Sequence, residues 1–140
     1  MKIQILQHME SLVSGYLPIL IDNEDFEIDQ PNNSISSILI IDDLEYISYD
    51  KLHNFLIKLR TILRLNGTIT VRGIDLMCLS KELICNNFDI ENYNNIVFRD
   101  GKKAIYSSHV IAELIKTLGL QINYLKLKGI TYELQASRSN

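Results

Sequence analysis

Residues 38–73 read ILIIDDLEYISYDKLHNFLIKLRTILRLNGTITVRG, and this stretch decides the fold. Four aliphatic residues, Ile38 to Ile41, run straight into Asp42, Asp43 and Glu45. A continuous apolar run of this kind predicts a strand covered on both faces, as in parallel sheets. Asp50 then stands as the N-cap of a helix over residues 51–65. In it Leu52, Phe55, Leu56, Leu59, Ile62 and Leu63 recur at helical spacing, with Lys51, Lys58 and Arg64 off the stripe. Asn66-Gly67 stops that helix in the left-handed manner, and TITVRG (68–73) alternates as the next strand.

The same rhythm extends both ways. Upstream, KIQIL (2–6) and LPILID (17–22) are short β-like runs, and QHMESLVSG (7–15) between them has the length of a short helix closed by Gly15. Downstream, Asp75 caps a helix over LMCLSKELICNNF (76–88), with Leu76, Leu79 or Ser80, Leu83 and Ile84 inward. Residues 89–103 are polar and asparagine-rich and read as a loop. Ser107 or Ser108 caps HVIAELIKTLG (109–119), and Gly119 ends it. Two closing runs, LQINYLKLK and ITYELQAS, flank the turn at Lys128-Gly129 as an antiparallel hairpin. The fold class is therefore α/β: a Rossmann-like, mostly parallel open sheet with a C-terminal antiparallel hairpin. Residues 1–140 form one domain, with no repeat or linker to divide them. Ligands of such sheets sit beyond the carboxyl ends of the parallel strands. That puts Asp22, Asp42 and Asp43 on the ligand edge.

Composition narrows the function. With a net charge of −3 and scattered lysines and arginines, the chain offers no electrostatic footprint for nucleic acid. Its densest basic cluster, Arg99, Lys102 and Lys103, sits beside Asp100. No apolar run approaches the roughly 18 residues of a membrane span, and the N-terminus turns polar too soon for a signal peptide. Cys78 and Cys85 lie about 10 Å apart by helical rise, too far to bridge. They read as reduced core thiols of a cytoplasmic protein. Abundant isoleucine and asparagine with three alanines indicate an AT-rich coding genome, such as some bacteria and phages carry.

The three histidines and two cysteines lack metal-ligand spacing. No nucleophile elbow or phosphate loop is present. His8, His53 and His109 read as inert surface side chains. Tyr106, Tyr124 and Tyr132, without basic companions, read as packing rather than base-stacking platforms. Asp42 and Asp43 have a plain structural reading as a solvated strand end. On that reading, changing either to Asn shifts stability by under about 1 kcal/mol.

Taken together, ILIIDDLEYIS and LRTILRLNGTITVRGID resemble the central segment of small class I S-adenosylmethionine-dependent methyltransferases. There a strand leads into a Leu-Glu-His-like tripeptide, and the following helix ends in an Arg-x-Leu-Lys-Pro-Gly-Gly turn. Here Tyr46 stands where the His would be, and Leu65-Asn66-Gly67 replaces Lys-Pro-Gly-Gly. The end, SSHVIAELIKTLGLQINYLKLKGITYELQAS, is similar to that family's last helix and final antiparallel strands. The resemblance covers nearly the whole chain. It implies that Asp22 would bond the cofactor's ribose hydroxyls and Asp29 would lie near its adenine amine. Asp42, Asp43 and Glu45 would border cofactor and substrate.

The first loop departs from the family. A Gly-x-Gly-like run normally lets the backbone approach the cofactor, because glycine lacks a Cβ. Residues 6–14, LQHMESLVS, contain no glycine, and Gln7, His8, Met9 and Glu10 each bring a side chain there. The favoured reading is a methyltransferase-like domain that has lost cofactor binding. It would act as a structural or protein-interaction module among other protein subunits, a phage virion being one such assembly, with no metal, membrane or nucleic-acid partner. The alternative is an active S-adenosylmethionine-dependent methyltransferase with an atypical first loop. In it Asp22, Asp29 and Asp42 would bind the cofactor and Asp43 would take the acceptor's proton.

Overall fold

The computed structural model describes residues 1–21, 28–87 and 89–139. Six strands form one sheet: β1 (Lys2–Leu6), β2 (Leu17–Leu20), β3 (Ile35–Ile41), β4 (Leu63–Ile74), β5 (Gln121–Lys128) and β6 (Thr131–Ser137). Their order across the sheet is β2-β1-β3-β4-β6-β5. The first four run parallel, and β6 is antiparallel to both of its neighbours, β4 and β5. The helices are α1 (Tyr49–Ile62), α2 (Leu76–Ile84), α3 (Ile90–Phe98) and α4 (Ser108–Thr117).

Helix α1 forms where the apolar stripe required it. Leu52, Phe55, Leu56, Leu59 and Ile62 are buried together with Ile38, Ile40, Ile69 and Val71 of the sheet. Each such side chain contributes about 1.5–3 kcal/mol on leaving water. Helix α4 does the same with Ile111, Ala112 and Ile115 against the Leu134 and Ala136 side of β6. Side chains alternate along a strand, and these residues all belong to one face of the sheet.

The opposite face differs from expectation. Ser37, Leu39, Ile41, Thr68, Thr70, Glu133 and Gln135 are only partly buried, and β2 is largely exposed, Leu17 at 52% and Leu20 at 48%. Continuous hydrophobicity in β2 and β3 therefore does not mark cover on both faces. In β1, however, Ile3, Gln4, Ile5 and Leu6 are all buried, because the chain from residue 7 to 16 folds back over that strand.

Several boundaries move for identifiable reasons. The connection after β1 is not a helix; it is a single 3₁₀ turn at Met9–Ser11 with no buried residue. An unburied apolar face gives a short helix nothing to hold it. Helix α1 begins at Tyr49 after Ser48, not at Lys51, and ends at Ile62, passing directly into β4. Asn66 does take a left-handed φ of 63°, but inside β4, at the corner of a bulge between the Ile35–Leu63 and Ser37–Thr68 pairings. Gly67 is needed there for close approach, since a Cβ would lie 2.7 Å from Leu63 Cδ1 and 2.9 Å from the Arg64 carbonyl oxygen. Arg138 closes the bulge: its N–H donates to the Gly67 carbonyl at 3.0 Å and its guanidinium to that of Leu63 at 2.6 Å.

Asp75 caps α2 as predicted, accepting from the Cys78 N–H at 2.8 Å, and it also takes the Ser108 N–H at 2.6 Å. One buried carboxylate thus ties the starts of α2 and α4 together. Of the predicted inward residues of α2, Leu79 is buried but Ile84 is 79% exposed. Residues 90–98, read as loop, form α3 behind the Asp89 cap, which accepts from the Asn92 N–H. Ser107 caps α4 through the Val110 N–H, Gly119 follows at φ 79°, and the hairpin turns at Lys128-Gly129 as expected. Cys78 is partly buried and Cys85 exposed, so neither is a core thiol. Among the described residues no helix is long and apolar enough to cross a membrane.

Candidate functional site

From β1 the chain moves outward to β2 on one side, while β3 pairs on the other. The carboxyl ends of β1 and β3 therefore flank the switch point, where open α/β sheets place their ligands. Two segments meet there: residues 7–16 after β1 and residues 42–48 after β3.

Gln4 shapes the first segment from below. It is fully buried in β1, its side-chain N–H donates to the Ser11 carbonyl at 3.0 Å, and its Oε1 accepts the Val13 N–H at 2.7 Å. Both ends of one amide thus hold the crossover down on the sheet. A polar residue set between the isoleucines of KIQIL was the signal for this, but alternation alone did not say what it would bond.

The second segment brings Asp42, Asp43 and Glu45 together in three different states. Asp42 is exposed, takes a left-handed φ of 57°, and faces Arg72 across 3.9 Å. That backbone conformation is one Asp tolerates better than most residues. Asp43 is only 6% exposed, contrary to the solvated strand end expected for it. Burial pushes its carboxyl up to about 6. The Gln7 backbone N–H, which bonds it, and His8 pull the other way, while Asp42 and Glu45 add to the rise. Its Oδ2 has no hydrogen-bond partner among the described residues. Glu45 is 3% exposed and lies 2.8 Å from Lys102 Nζ. Its Oε1 accepts the Ile74 N–H at 3.2 Å, and its carbonyl accepts the Lys103 N–H at 2.8 Å. Burial raises the Glu45 pKa despite the Lys102 partner.

The two segments are joined. The Gln7 N–H bonds Asp43, and the His8 ring stands edge-on to Tyr46, centroids 6.3 Å apart at 88°. Tyr46 itself is buried. His8 is exposed, as expected of a surface side chain, and touches the Tyr46 ring; His53 and His109 are exposed near helix starts. Asp29 is exposed in the β2–β3 connection, and Asp22 lies outside the described residues. The Lys102–Glu45 pair went unforeseen because residues 89–103 read as loop, which hid where Lys102 would point. Tyr124, taken to lack basic company, has Lys126 Nζ 4.7 Å from its ring centroid. Among the described residues no three His, Cys, Asp or Glu side chains converge as a metal site.

Chemically, the edge presents one exposed acid, one ion-paired acid, and one buried acid that changes charge near neutral pH. A strongly perturbed acid at the switch point of such a sheet is the kind of group that marks functional sites.

Neither a protein-family model nor a curated protein matches the sequence. Solved structures do. A protein of Pyrococcus horikoshii superposes with a TM-score of 0.65 at 12% identity, over 98% of this chain and 71% of its own. A S-adenosylmethionine-dependent methyltransferase of Archaeoglobus fulgidus gives 0.64 at 10%, over 96% and 74%. One from Thermotoga maritima gives 0.60 at 15%, over 89% of this chain and 65% of that one. The chain spans less than two thirds of the Thermotoga protein and 31% of an O-methyltransferase family protein from Burkholderia thailandensis. At these identities the likeness is one of fold, and the fold is that of the class I methyltransferases.

Proposed function

We propose that this methyltransferase-like domain has given up cofactor binding at its switch point and serves as a structural or protein-interaction module in a larger assembly. The observation that carries this reading is the fastening of residues 7–16 over the switch point. Gln4 pulls the crossover onto β1 with two hydrogen bonds. Gln7 reaches across to Asp43, and His8 to Tyr46. S-adenosylmethionine would have to lodge between segments already bonded to each other, along a backbone with no glycine from residue 6 to 14. The residues present do not fit it.

Exposed apolar side chains support the interaction role. Leu17 and Leu20 on the edge strand β2, with Met9 and Val13 of the crossover, are 37–52% exposed. Among the described residues β2 is an edge strand, and an edge of this kind invites pairing with another chain. A neighbour of this fold from Haloferax volcanii is itself held in a complex with the Trm112 methyltransferase activator.

A second reading, an active methyltransferase, is favoured by one observation: Asp43 Oδ2 is buried without a partner among the described residues, and its carboxyl titrates at about 6. That suits a general base working near neutral pH. Isothermal titration with S-adenosylmethionine and with its demethylated product separates the two. The module reading expects no heat at millimolar ligand, and micromolar binding overturns it.

A further inference from the structure

At the hairpin side of Asp42 the sheet's half-open face carries a second cluster. Arg72 of β4, Glu133 of β6 and Lys126 of β5 stand directly opposite one another, and two residues further on come Ile74, Thr131 and Lys128. Paired residues share a face of the sheet, so three cations are gathered within two rungs. A cavity of about 430 Å³ opens among Arg72, Lys126, Lys128, Thr131, Glu133 and Asp42.

Two acids, Asp42 and Glu133, line the cavity beside the three cations and offset them only in part. Glu133 Oε2 accepts the Tyr124 hydroxyl at 2.9 Å, and Asp42 reaches Arg72 only at 3.9 Å, both partners being half-exposed. Among the described residues, Lys126 and Lys128 have no carboxylate within 4.0 Å. The Thr131 hydroxyl donates to the Lys128 carbonyl at 2.8 Å and so fixes the strand end that carries Lys128. In a chain of net charge −3 this is a local surplus of positive charge. With strands about 4.8 Å apart, Arg72 and Lys126 sit about 10 Å apart at Cα, and their long side chains approach the cavity from two sides.

We propose that this cavity binds a small phosphate-bearing molecule through two charged points, as a diphosphate offers. Arg72 supplies the planar fork that matches phosphate oxygens, Lys128 a point charge, and Lys126 a second one whose Nζ lies 4.7 Å from the Tyr124 ring centroid. None of its three cations belongs to the first crossover, although Asp42, which the resemblance places beside the cofactor, lines one side of the cavity.

The test is a titration of the full, ¹⁵N-labelled chain with inorganic pyrophosphate at fixed ionic strength, followed by amide chemical shifts. Saturable shifts centred on residues 72, 126, 128 and 131 are expected. Arg72→Ala, and Lys126→Ala combined with Lys128→Ala, each weaken binding by roughly tenfold or more, the usual effect of removing a charged hydrogen-bond partner. Lys116→Ala on α4 leaves it unchanged. Should an alanine variant misfold, Arg72→Lys keeps the charge without the fork and is expected to bind more weakly than the parent. Shifts that fail to saturate by about 10 mM, that persist in the charge-deleted variants, or that sodium chloride reproduces at matched ionic strength overturn the proposal. So does equally tight binding of inorganic phosphate, which denies the two-point contact.

Discussion

The β1–β2 and β3–β4 crossovers perform the same topological task with opposite materials. Between β3 and β4 stands α1, 14 residues long, whose Leu52, Phe55, Leu56, Leu59 and Ile62 are buried. Between β1 and β2 there is one 3₁₀ turn that buries nothing, held by the Gln4 amide and by the bond from Gln7 to Asp43. The helix is stabilised by many interchangeable apolar contacts. The turn depends on a few directional ones, each of which leaves a polar group without its partner if removed. Apolar cover makes a crossover sturdy, whereas polar fastening makes it specific and lets it close a crevice.

The largest test strikes the sturdy side. Phe55→Ala removes a fully buried ring from under α1 and is expected to cost about 3–5 kcal/mol in urea unfolding. A cost below about 1 kcal/mol would mean that α1 is not the anchor of the β3–β4 crossover, and the contrast would fail from that end.

Next comes the polar fastener. Gln4→Ala deletes both bonds of the amide, leaving the Val13 N–H and the Ser11 carbonyl without it. The expected loss is about 2–3 kcal/mol. Its location matters more than its size. Amide hydrogen exchange should accelerate chiefly between residues 7 and 13, while α1 keeps its protection relative to global unfolding. Uniform acceleration in both crossovers would show that they open as one unit.

That contrast also explains what could be read in advance. Strands β1, β3 and β4, helices α1 and α4, and the closing hairpin were legible because each carries an apolar period or a capping residue. Ser107 and Asp75 cap where expected, bonding the Val110 and Cys78 N–H groups. The first crossover was misread as a helix because its length suited one, although its residues bury no face. Helix α3 was missed for the reverse reason: none of its residues is buried, so it carries no core stripe and rests on the Asp89 cap. At the site, the trio Asp42, Asp43 and Glu45 was visible as a group. Their separate fates were not, because they depend on Arg72, Gln7 and Lys102, which lie 30, 36 and 57 positions away in the sequence. Asp42 behaves as the exposed strand end it was taken for, and Asp43 does not.

Asp43 gives the smallest effect and the sharpest test, because its sign is unusual for a carboxylate. Its pKa is raised from 3.8 to about 6, so between those values the folded chain holds a proton that the unfolded chain releases. The stability contributed by that proton is complete below the unfolded value and is lost as the pH climbs through about 6. Glu45, also raised, acts in the same direction. Asp75 acts in the opposite one: burial would raise it, but the Ser108 and Cys78 bonds hold it below its ordinary value, so its contribution is lost as the pH falls. Above the transition, ionised Asp43 sits buried with one oxygen lacking a partner among the described residues, at a cost to folding. Asp43→Asn removes the charge while its carbonyl oxygen can still accept the Gln7 N–H. The variant should therefore be more stable than the parent at pH 7.5 by about 1–2 kcal/mol and little different near pH 4, as read from urea midpoints at the two pH values. If the Asn variant is instead the weaker at pH 7.5, the carboxylate is earning stability from a cation or donor. The first crossover would then be fastened by charge rather than by the neutral bonds of Gln4 and Gln7.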